Sequence, residues 1–506
     1  MRVSDLAVLE AGAFPGGFSF GVATAGFQVE GGYNGPGQPR NNWYDWEAAG
    51  RVEPSGIAND SWRRFEEDLD VASAMGLDTF RLSVEWARVQ PTASASATEN
   101  EEEPPFDRDA VERYVEILAA ARGRGLDPLV TLHHFTLPRW LGLSFWQRED
   151  SPRVFAAYVR QVVTLLDEGL AARGEPPIRR YVTLNEINAL AIGTWFGGWF
   201  PGGRPLHLPD LRRGLDHLLA AHVRAYDAVH DVHVERGWAR PQVITNNVSL
   251  SIYESDRSLI DLLLARRRGV DRDALPAYLA DRRTRWRSVC KRMAGPSQAA
   301  SELLLAGLAR WNVRHGLPAT SDALYASPRP DKLDAIAIDF YAPWAKGRFR
   351  APGHRTSGER WRYPVRPLWE DPPAPGAFVD FCRANADEPG LPLWVVENGL
   401  CNRVHDGVSY PRPDGWNRVR YLRAYLGRLA AAVAEGLPVE AYLHWTLYDN
   451  YEWGSYEPRF GLLGVDRSRG ATRLERDSMG DDAAGAYGTI VRALRTGQGL
   501  DAAFTA

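Results

Sequence analysis

Short apolar segments alternate along this chain with longer segments of helical periodicity, and this alternation constrains the fold more than any other feature. Eight of the apolar segments have the length and composition of buried strands. They are Ser19–Ala23, Thr79–Val84, Pro128–Leu132, Arg180–Leu184, Gln242–Asn246, Asp334–Ile338, Leu393–Val396 and Val439–Leu443. Amphipathic helices are predicted between them, for example at Arg63–Met75 and Asp109–Arg122. Strands that alternate with helices form a parallel sheet, and eight of them close a barrel.

The sequence therefore predicts an α/β fold, a single (β/α)8 TIM barrel with extended βα loops. The length of 506 residues would also allow two or three domains. We expect one domain over residues 1–506, with its core at about residues 14–490. Pro91–Pro105 is polar and acidic, which predicts a solvated loop. Pro343–Pro375 is rich in Pro, Arg and Trp, and it is either a loop on the rim of an active site or a variable surface loop.

Charge and cysteine content argue against several classes of function. The net charge is -4, so no basic surface for nucleic acid is indicated. No apolar run is long enough to cross a membrane, and residues 1–14 lack the pattern of a signal peptide. The three cysteines form no CxxC pair, so neither a disulfide framework nor a zinc site is expected. These features predict a cytoplasmic protein without a metal, cofactor, nucleic-acid partner or membrane partner.

Most of the predicted strands end in polar or aromatic residues. Catalytic groups of α/β barrels lie at the carboxyl ends of the strands, so these residues would line one rim. A single acidic residue at a strand end is more often a cap or a surface ion pair, but repetition over seven strands favours a site. The residues are Gln28, Glu30, Arg81, Glu85, His133, His134, Asn185, Glu186, Asp339, Tyr341, Glu397, Asn398, His444 and Trp445.

Two glutamates on this rim suit the hydrolysis of a glycosidic bond. Glu186 follows the apolar run RYVTL and an Asn, and Glu397 follows LPLWVV. That chemistry needs one carboxyl to protonate the leaving oxygen and another to meet the anomeric carbon. The chain also has 18 Trp, whose faces match the C–H faces of sugars, although a large aromatic core explains that number equally well.

Seven motifs together make the chain resemble a known family. They are FSFGVATAGFQVEG at 18–31, RLSVEWAR at 81–88, TLHHFTLPRW at 131–140, TLNE at 183–186, PLWVVENG at 392–399, WTLYDNYEW at 445–453 and RFGLLGVD at 459–466. In this order they resemble family 1 of the glycoside hydrolases, the β-glucosidase and β-galactosidase family. The resemblance spans about residues 14–490. It implies one (β/α)8 domain and a hydrolase that retains the configuration of the anomeric carbon.

The resemblance also implies roles for individual residues. Glu186 matches the general acid/base of the family, and Glu397 matches its nucleophile. Arg81 and Tyr341 match the residues that hold the nucleophile, and Asn185 matches a contact to the sugar 2-hydroxyl. Further positions that contact substrate in the family are matched by Gln28, His134, Trp445, Glu452, Trp453 and Phe460. The expected partner is a small-molecule β-glycoside or oligosaccharide.

One pair of residues bears on the sugar that is bound. Relatives that act on 6-phosphosugars replace the pair Glu452-Trp453 with small residues and add a lysine. An acidic residue at 452 would repel a phosphate, which favours a neutral glycone. Glucose, galactose and fucose stay open, as do the aglycone and the oligomeric state.

The chain departs from the family pattern in three places. Ile187 stands where the family usually has Pro, which removes backbone rigidity but no functional group, so we expect activity to survive. Asp339 stands where Asn is usual. The extra carboxyl could raise the pKa of a neighbour or recognise a basic or hydroxyl-rich group. The segment Pro343–Pro375 has no family counterpart, and we expect it to shape the aglycone side.

Three functions are compatible with these residues. The leading hypothesis is a retaining β-glycosidase. A transglycosidase would use the same site but pass the glycosyl unit to an alcohol, and product analysis with an added acceptor would distinguish it. A non-catalytic glycan-binding protein is disfavoured, because members of the family that lose catalysis usually lose one of the two glutamates.

Overall fold

Nine parallel strands form one continuous sheet in the computed structural model, which describes residues 7–10, 14–91, 103–250, 252–294, 317–343 and 367–505. The sheet contains β1 Ser19–Ala23, β2 Thr79–Ser83, β3 Asp127–Thr131, β4 Arg180–Val182, β5 Gln242–Ile244, β6 Asn246–Val248, β7 Ile336–Asp339, β8 Leu393–Glu397 and β11 Val439–Trp445. Two small antiparallel sheets pair β9 Asn402–His405 with β10 Val408–Tyr410 and β12 Pro458–Arg459, and β13 Val465–Asp466 with β14 Thr472–Arg473.

The order of the strands shows how the sheet closes. It runs β5-β4-β3-β2-β1-β11-β8-β7-β6, with every neighbouring pair parallel. The two edge strands, β5 and β6, follow one another in the chain with Thr245 alone between them. They therefore form a single stave, and the nine strands make an eight-stave barrel. The predicted (β/α)8 fold is confirmed, and the predicted fifth strand, Gln242–Asn246, is corrected to two strands.

Helices follow most of the strands and pack around the sheet. Their bounds are α1 Gly26–Val29, α2 Tyr44–Ala48, α3 Ser61–Ala74, α4 Trp86–Val89, α5 Arg108–Gly123, α6 Ser151–Ala172, α7 Ile187–Ala191, α8 Leu208–Glu235, α9 Arg257–Leu264, α10 Leu275–Ala294, α11 Pro318–Ala326, α12 Pro375–Asn385, α13 Arg418–Ala434, α14 Ala483–Thr496 and α15 Leu500–Thr505. A π-helical segment, Ile192–Gly197, continues α7. Within the described residues, no helix combines the length and the apolarity needed to cross a membrane.

The core has two parts, as a barrel requires. A small cluster fills the barrel interior with residues such as Leu129, Val182 and Val396. A much larger cluster lies between the strands and the surrounding helices. The interior is therefore packed rather than hollow, and a ligand has room only at the ends of the barrel. Most of each predicted insertion, Pro91–Pro105 and Pro343–Pro375, lies outside the described residues.

Candidate active site

A cavity of about 1220 Å³ opens at the carboxyl ends of the barrel strands. It collects the predicted site residues His134, Asn185, Glu186, Tyr341, Glu397, Trp445, Glu452, Trp453 and Phe460 along its walls. The other two predicted residues, Gln28 and Arg81, are fully buried and do not line it. Of the residues at the predicted strand ends, His134, Asn185, Glu186, Tyr341, Glu397 and Trp445 thus meet at one rim, whereas Glu30, Glu85, His133, Asp339, Asn398 and His444 do not line the cavity.

Glu397 is the last residue of β8, and two donors hold its carboxylate. Arg81 lies on β2 and its Nη1 donates to Oε1 of Glu397 at 2.7 Å. The hydroxyl of Tyr341, just beyond β7, donates to Oε2 at 2.7 Å. Burial raises the pKa of Glu397, while the Arg81 charge and the Tyr341 hydrogen bond oppose that rise. Both oxygens of this carboxylate are therefore oriented by donors that favour its ionised form.

Glu186 lies in different surroundings just beyond β4, at the start of α7. Its backbone is left-handed, with φ of 39° and ψ of 63°. Burial, followed by the charge of Glu397, raises the pKa of Glu186 to about 8. Carboxyl oxygens of Glu186, Asp339 and Glu397 lie within 4.8 Å of one another. The site thus contains two facing glutamates, one held by cationic and hydroxyl donors and one inclined to keep its proton.

Asn185 links Arg81 and Asn246 to His134 through its side-chain amide. Its Oδ1 accepts from Nη2 of Arg81 and, at 2.8 Å, from Nδ2 of Asn246. Its Nδ2 donates to Nε2 of His134 at 3.1 Å. Burial holds the pKa of His134 well below its usual range, so the ring is neutral. Because Nε2 accepts, the ring proton is on Nδ1. That atom has no partner among the described residues, which leaves a donor for a ligand.

Aromatic rings cover one wall of the cavity. The His134 ring is nearly parallel to Trp445 and to Trp453, with centroids 5.8 Å away in each case. The indole Nε1 of Trp445 donates to Oε1 of Glu452 at 3.1 Å. Burial raises the pKa of Glu452 to about 8. Phe460 contacts the ring of Tyr341 edge-on at 5.5 Å. An apolar wall with polar groups at its edge suits a ring that carries hydroxyls.

Gln28 supplies a buried acceptor behind this wall. It lies on α1, directly after β1, and its Nε2 donates to the Tyr451 carbonyl at 2.9 Å. Its Oε1 has no partner in the part of the chain that the structure describes. Buried polar atoms are rarely left unpaired, so this oxygen lacks the partner that such an atom usually has.

Sequence reasoning missed some residues of the site. Asn246 begins β6 and bridges Asn185 to Asp339, although no site residue was predicted at the end of the fifth strand. The Asn246-Asn247 pair that closes this run was the available signal. On the outer side of the cavity, His405 is paired to Glu457 at 2.7 Å, and Trp369 lies under the guanidinium of Arg403. No spacing pattern in the sequence marks this second group.

Comparison with known proteins agrees with this site. The model of "Glycosyl hydrolase family 1" matches residues 10–258 and 372–480, which is more than half of the chain. The chain belongs to glycosyl hydrolase family 1. It is therefore a glycoside hydrolase, and the resemblance carried by the seven motifs is confirmed.

Individual members of the family match nearly the whole chain. A β-galactosidase of Sulfolobus acidocaldarius is 27% identical over 510 residues, covering 90% of this chain and 91% of its own. A bifunctional β-D-glucosidase/β-D-fucosidase of Bifidobacterium breve is 28% identical over 507 residues, covering 92% and 96%. The structure of the family 1 β-glucosidase of Thermotoga maritima superposes with a TM-score of 0.66 at 21% identity, covering 96% of this chain and 99% of that one.

Proposed function

We propose that this glycoside hydrolase is a retaining β-glycosidase that removes terminal non-reducing β-D-glycosyl units by double displacement. The observation that carries the proposal is the separation of Glu186 and Glu397, whose oxygens approach within 4.8 Å. Retaining enzymes keep the two carboxyl groups about 5–5.5 Å apart, whereas inverting enzymes leave roughly 6.5–9.5 Å for a water molecule. The spacing supports direct attack by a carboxylate on the sugar.

In the first step, Glu186 is the acid and Glu397 the nucleophile. Glu186 gives its proton to the glycosidic oxygen while an oxygen of Glu397 bonds to the anomeric carbon and the bond to the leaving group breaks. The raised pKa of Glu186, about 8, supports a proton that is present near neutral pH. Arg81 and Tyr341 support the second role, because they keep the attacking carboxylate ionised and oriented.

In the second step, Glu186 becomes the base. Once Glu397 is esterified its negative charge is gone, so the pKa of Glu186 falls and its carboxylate accepts a proton from water. The water oxygen bonds to the anomeric carbon as the ester bond to Glu397 breaks. Two inversions at the same carbon restore the β configuration.

The glycone is proposed to lie against Trp445, with its hydroxyls at the polar groups around that ring. Asn185 is proposed to contact the 2-hydroxyl, since it lies between Arg81 and His134 at the level of the two glutamates. Nδ1–H of His134 and Oε1 of Gln28 would pair with further hydroxyls. Glu452 supports a neutral glycone, and the names of the relatives, galactosidase and glucosidase/fucosidase, agree with glucose, galactose or fucose.

Glu397→Ala tests the nucleophile. The variant should lose turnover of nitrophenyl β-glycosides by at least about 10³-fold, because no covalent intermediate forms. Azide should restore release of nitrophenol and give the α-glycosyl azide, since azide then displaces the leaving group directly. Glu186→Ala is the matched control. It should turn over activated aryl glycosides far better than alkyl glycosides, and azide should give the β-glycosyl azide. Near wild-type hydrolysis by Glu397→Ala would refute the assignment.

A further inference from the structure

Asp339 places a third carboxyl group behind the two glutamates. It is the last residue of β7 and is fully buried. Its Oδ2 accepts a hydrogen bond from Nδ2 of Asn246. Its Oδ1 has no donor partner among the described residues. A buried carboxyl oxygen without a donor is costly, so this atom calls for a proton or a ligand.

The carboxyl group of Asp339 lies close to that of Glu186. Oxygens of the two side chains lie within 4.8 Å, and both residues are buried. In the described part of the chain, no N–H or hydroxyl group donates to the Glu186 carboxyl, and Asp339 is the neighbour with which it can hydrogen-bond. Two carboxyl groups hydrogen-bond to each other only when a proton lies between them.

The charges around this pair disfavour loss of that proton. Glu397 is the nearest other acid, and Glu452 lies further along the cavity. The positive charge that balances these acids is the guanidinium of Arg81, which already forms an ion pair with Glu397. The remaining titratable neighbours are neutral: burial lowers the pKa of His134 well below its usual range and raises that of Tyr341 well above its own. Full ionisation would thus leave three clustered carboxylates with one cation.

We propose that Asp339 and Glu186 hold one proton in common, and that the pair loses this proton at a higher pH than Glu186 would beside the Asn usual in the family. Asp339 is thereby a positioning residue. This inference rests on the proposed function, in which Glu186 is the acid. Asp339 contacts neither substrate nor the reacting carbon. It acts through Glu186, which lines the cavity while Asp339 does not.

The shared proton is consistent with the charge balance of both steps. Before the first step Glu397 carries one negative charge and the pair carries another. When Glu186 gives the proton to the leaving oxygen, the pair gains a negative charge as Glu397 loses its own in the ester. The proton from water then returns to the pair as Glu397 is released. The total charge of Glu186, Asp339 and Glu397 is therefore the same before and after each of the two steps.

Asp339→Asn tests the proposal through the pH dependence of kcat/KM on an alkyl β-glycoside, whose poor leaving group needs the acid. Asn removes a negative charge and offers an N–H donor to the Glu186 carboxylate, and both changes lower the pKa of Glu186. The midpoint of the alkaline limb should therefore fall by about one pH unit or more relative to wild type. Asp339→Ser, a smaller neutral residue, should move the limb in the same direction if the Asn variant does not fold.

Asp216→Asn is the matched control. Asp216 is another buried aspartate, on α8, and it accepts from the backbone N–H groups of Ala319 and Thr320. Its replacement should leave the alkaline limb in place. An alkaline limb that stays put or moves to higher pH in both Asp339 variants would overturn the shared proton while leaving the glycosidase assignment intact. Absence of any turnover by the wild type would instead overturn the proposed function, and the shared proton with it.

A cation is the competing occupant of the three-carboxyl cluster. If EDTA abolished wild-type turnover and a divalent cation restored it, the carboxyl groups would be metal ligands and the shared proton would be refuted. Turnover that is unchanged by EDTA, together with the shift of the alkaline limb, is the result that we expect.

Discussion

Glu186 has an unusual backbone for a residue with a side chain. Its φ of 39° and ψ of 63° lie in the left-handed region, which costs an ordinary L-residue roughly 1–3 kcal/mol. A proline at the next position would restrict it to extended conformations with negative φ. Ile187 imposes no such restriction. The departure from the family pattern at 187 therefore permits the conformation in which Glu186 lies beside Asp339.

Ile187→Pro should lower activity even though it introduces the residue that is usual in the family. Forcing Glu186 out of its left-handed conformation would displace the acid from its partners, and a loss of about 1.4 kcal/mol in transition-state stabilisation corresponds to tenfold in rate. We expect kcat/KM on a nitrophenyl β-glycoside to fall by about tenfold. Ile187→Val, which is smaller but leaves the backbone free, should keep most of the activity. A Pro variant as active as wild type would show that this conformation is not required.

The place of single residues in the site was predictable where a motif isolates them. Glu186, Glu397 and their companions were named from local motifs, and the structure brings them to one cavity. The close approach of Asp339 to Glu186 was not predictable, because the two residues are far apart in sequence and meet only across the barrel. The sequence indicated that Asp339 could raise the pKa of a neighbour, but not which one.

At the scale of the strand, the break between β5 and β6 positions Glu186. Thr245 lies in the break, and its Oγ1 donates to the Leu184 carbonyl at 2.7 Å. Leu184 immediately precedes Asn185 and Glu186. The side chain of Thr245 thus anchors the segment that carries Glu186. Asn246 follows directly and holds Asn185 and Asp339 together.

Thr245→Val should therefore weaken both the fold and the site. The change keeps the shape of the side chain but leaves the buried Leu184 carbonyl without this donor, which costs about 1–3 kcal/mol. We expect that decrease in the free energy of unfolding in urea, together with a measurable loss of kcat. Thr472→Val is the control, since the Thr472 hydroxyl donates to a carbonyl at the surface. Equal stability for the two variants would contradict the anchoring role.

Strand positions were predictable to different degrees. β1 was predicted at its observed bounds, and β2 and β3 to within a residue at each end, because their apolar runs stop at polar residues or turns. β11 continues to Trp445, two residues beyond the prediction, since pairing with β1 extends to its end. The split at Thr245 was missed because it arises where the sheet closes on itself. Closure of the barrel depends on the register of all its strands, so the sequence of one strand does not show where the sheet closes.

At the scale of the whole molecule, the barrel brings six strand ends to one cavity. His134 follows β3, Asn185 and Glu186 follow β4, and Val248 ends β6. The remaining groups belong to the ends of β7, β8 and β11. The eight positions around the barrel were predictable from alternation, although one of them is filled by two strands, β5 and β6, and the rim at which the lining residues meet was predictable with them. The outer part of the cavity was not predictable, because it is built from short strands and loops such as β9 and β12 that have no strong periodicity.

We propose that Glu186 and Glu397 act together to hydrolyse a β-glycoside with retention. Proton NMR of the anomeric signals, recorded from the first moments of hydrolysis of a nitrophenyl β-glycoside, tests it most directly. Double displacement predicts that the β anomer of the free sugar appears first and that the α anomer follows only at the rate of mutarotation. Initial formation of the α anomer would contradict it, because that product requires a single displacement by water.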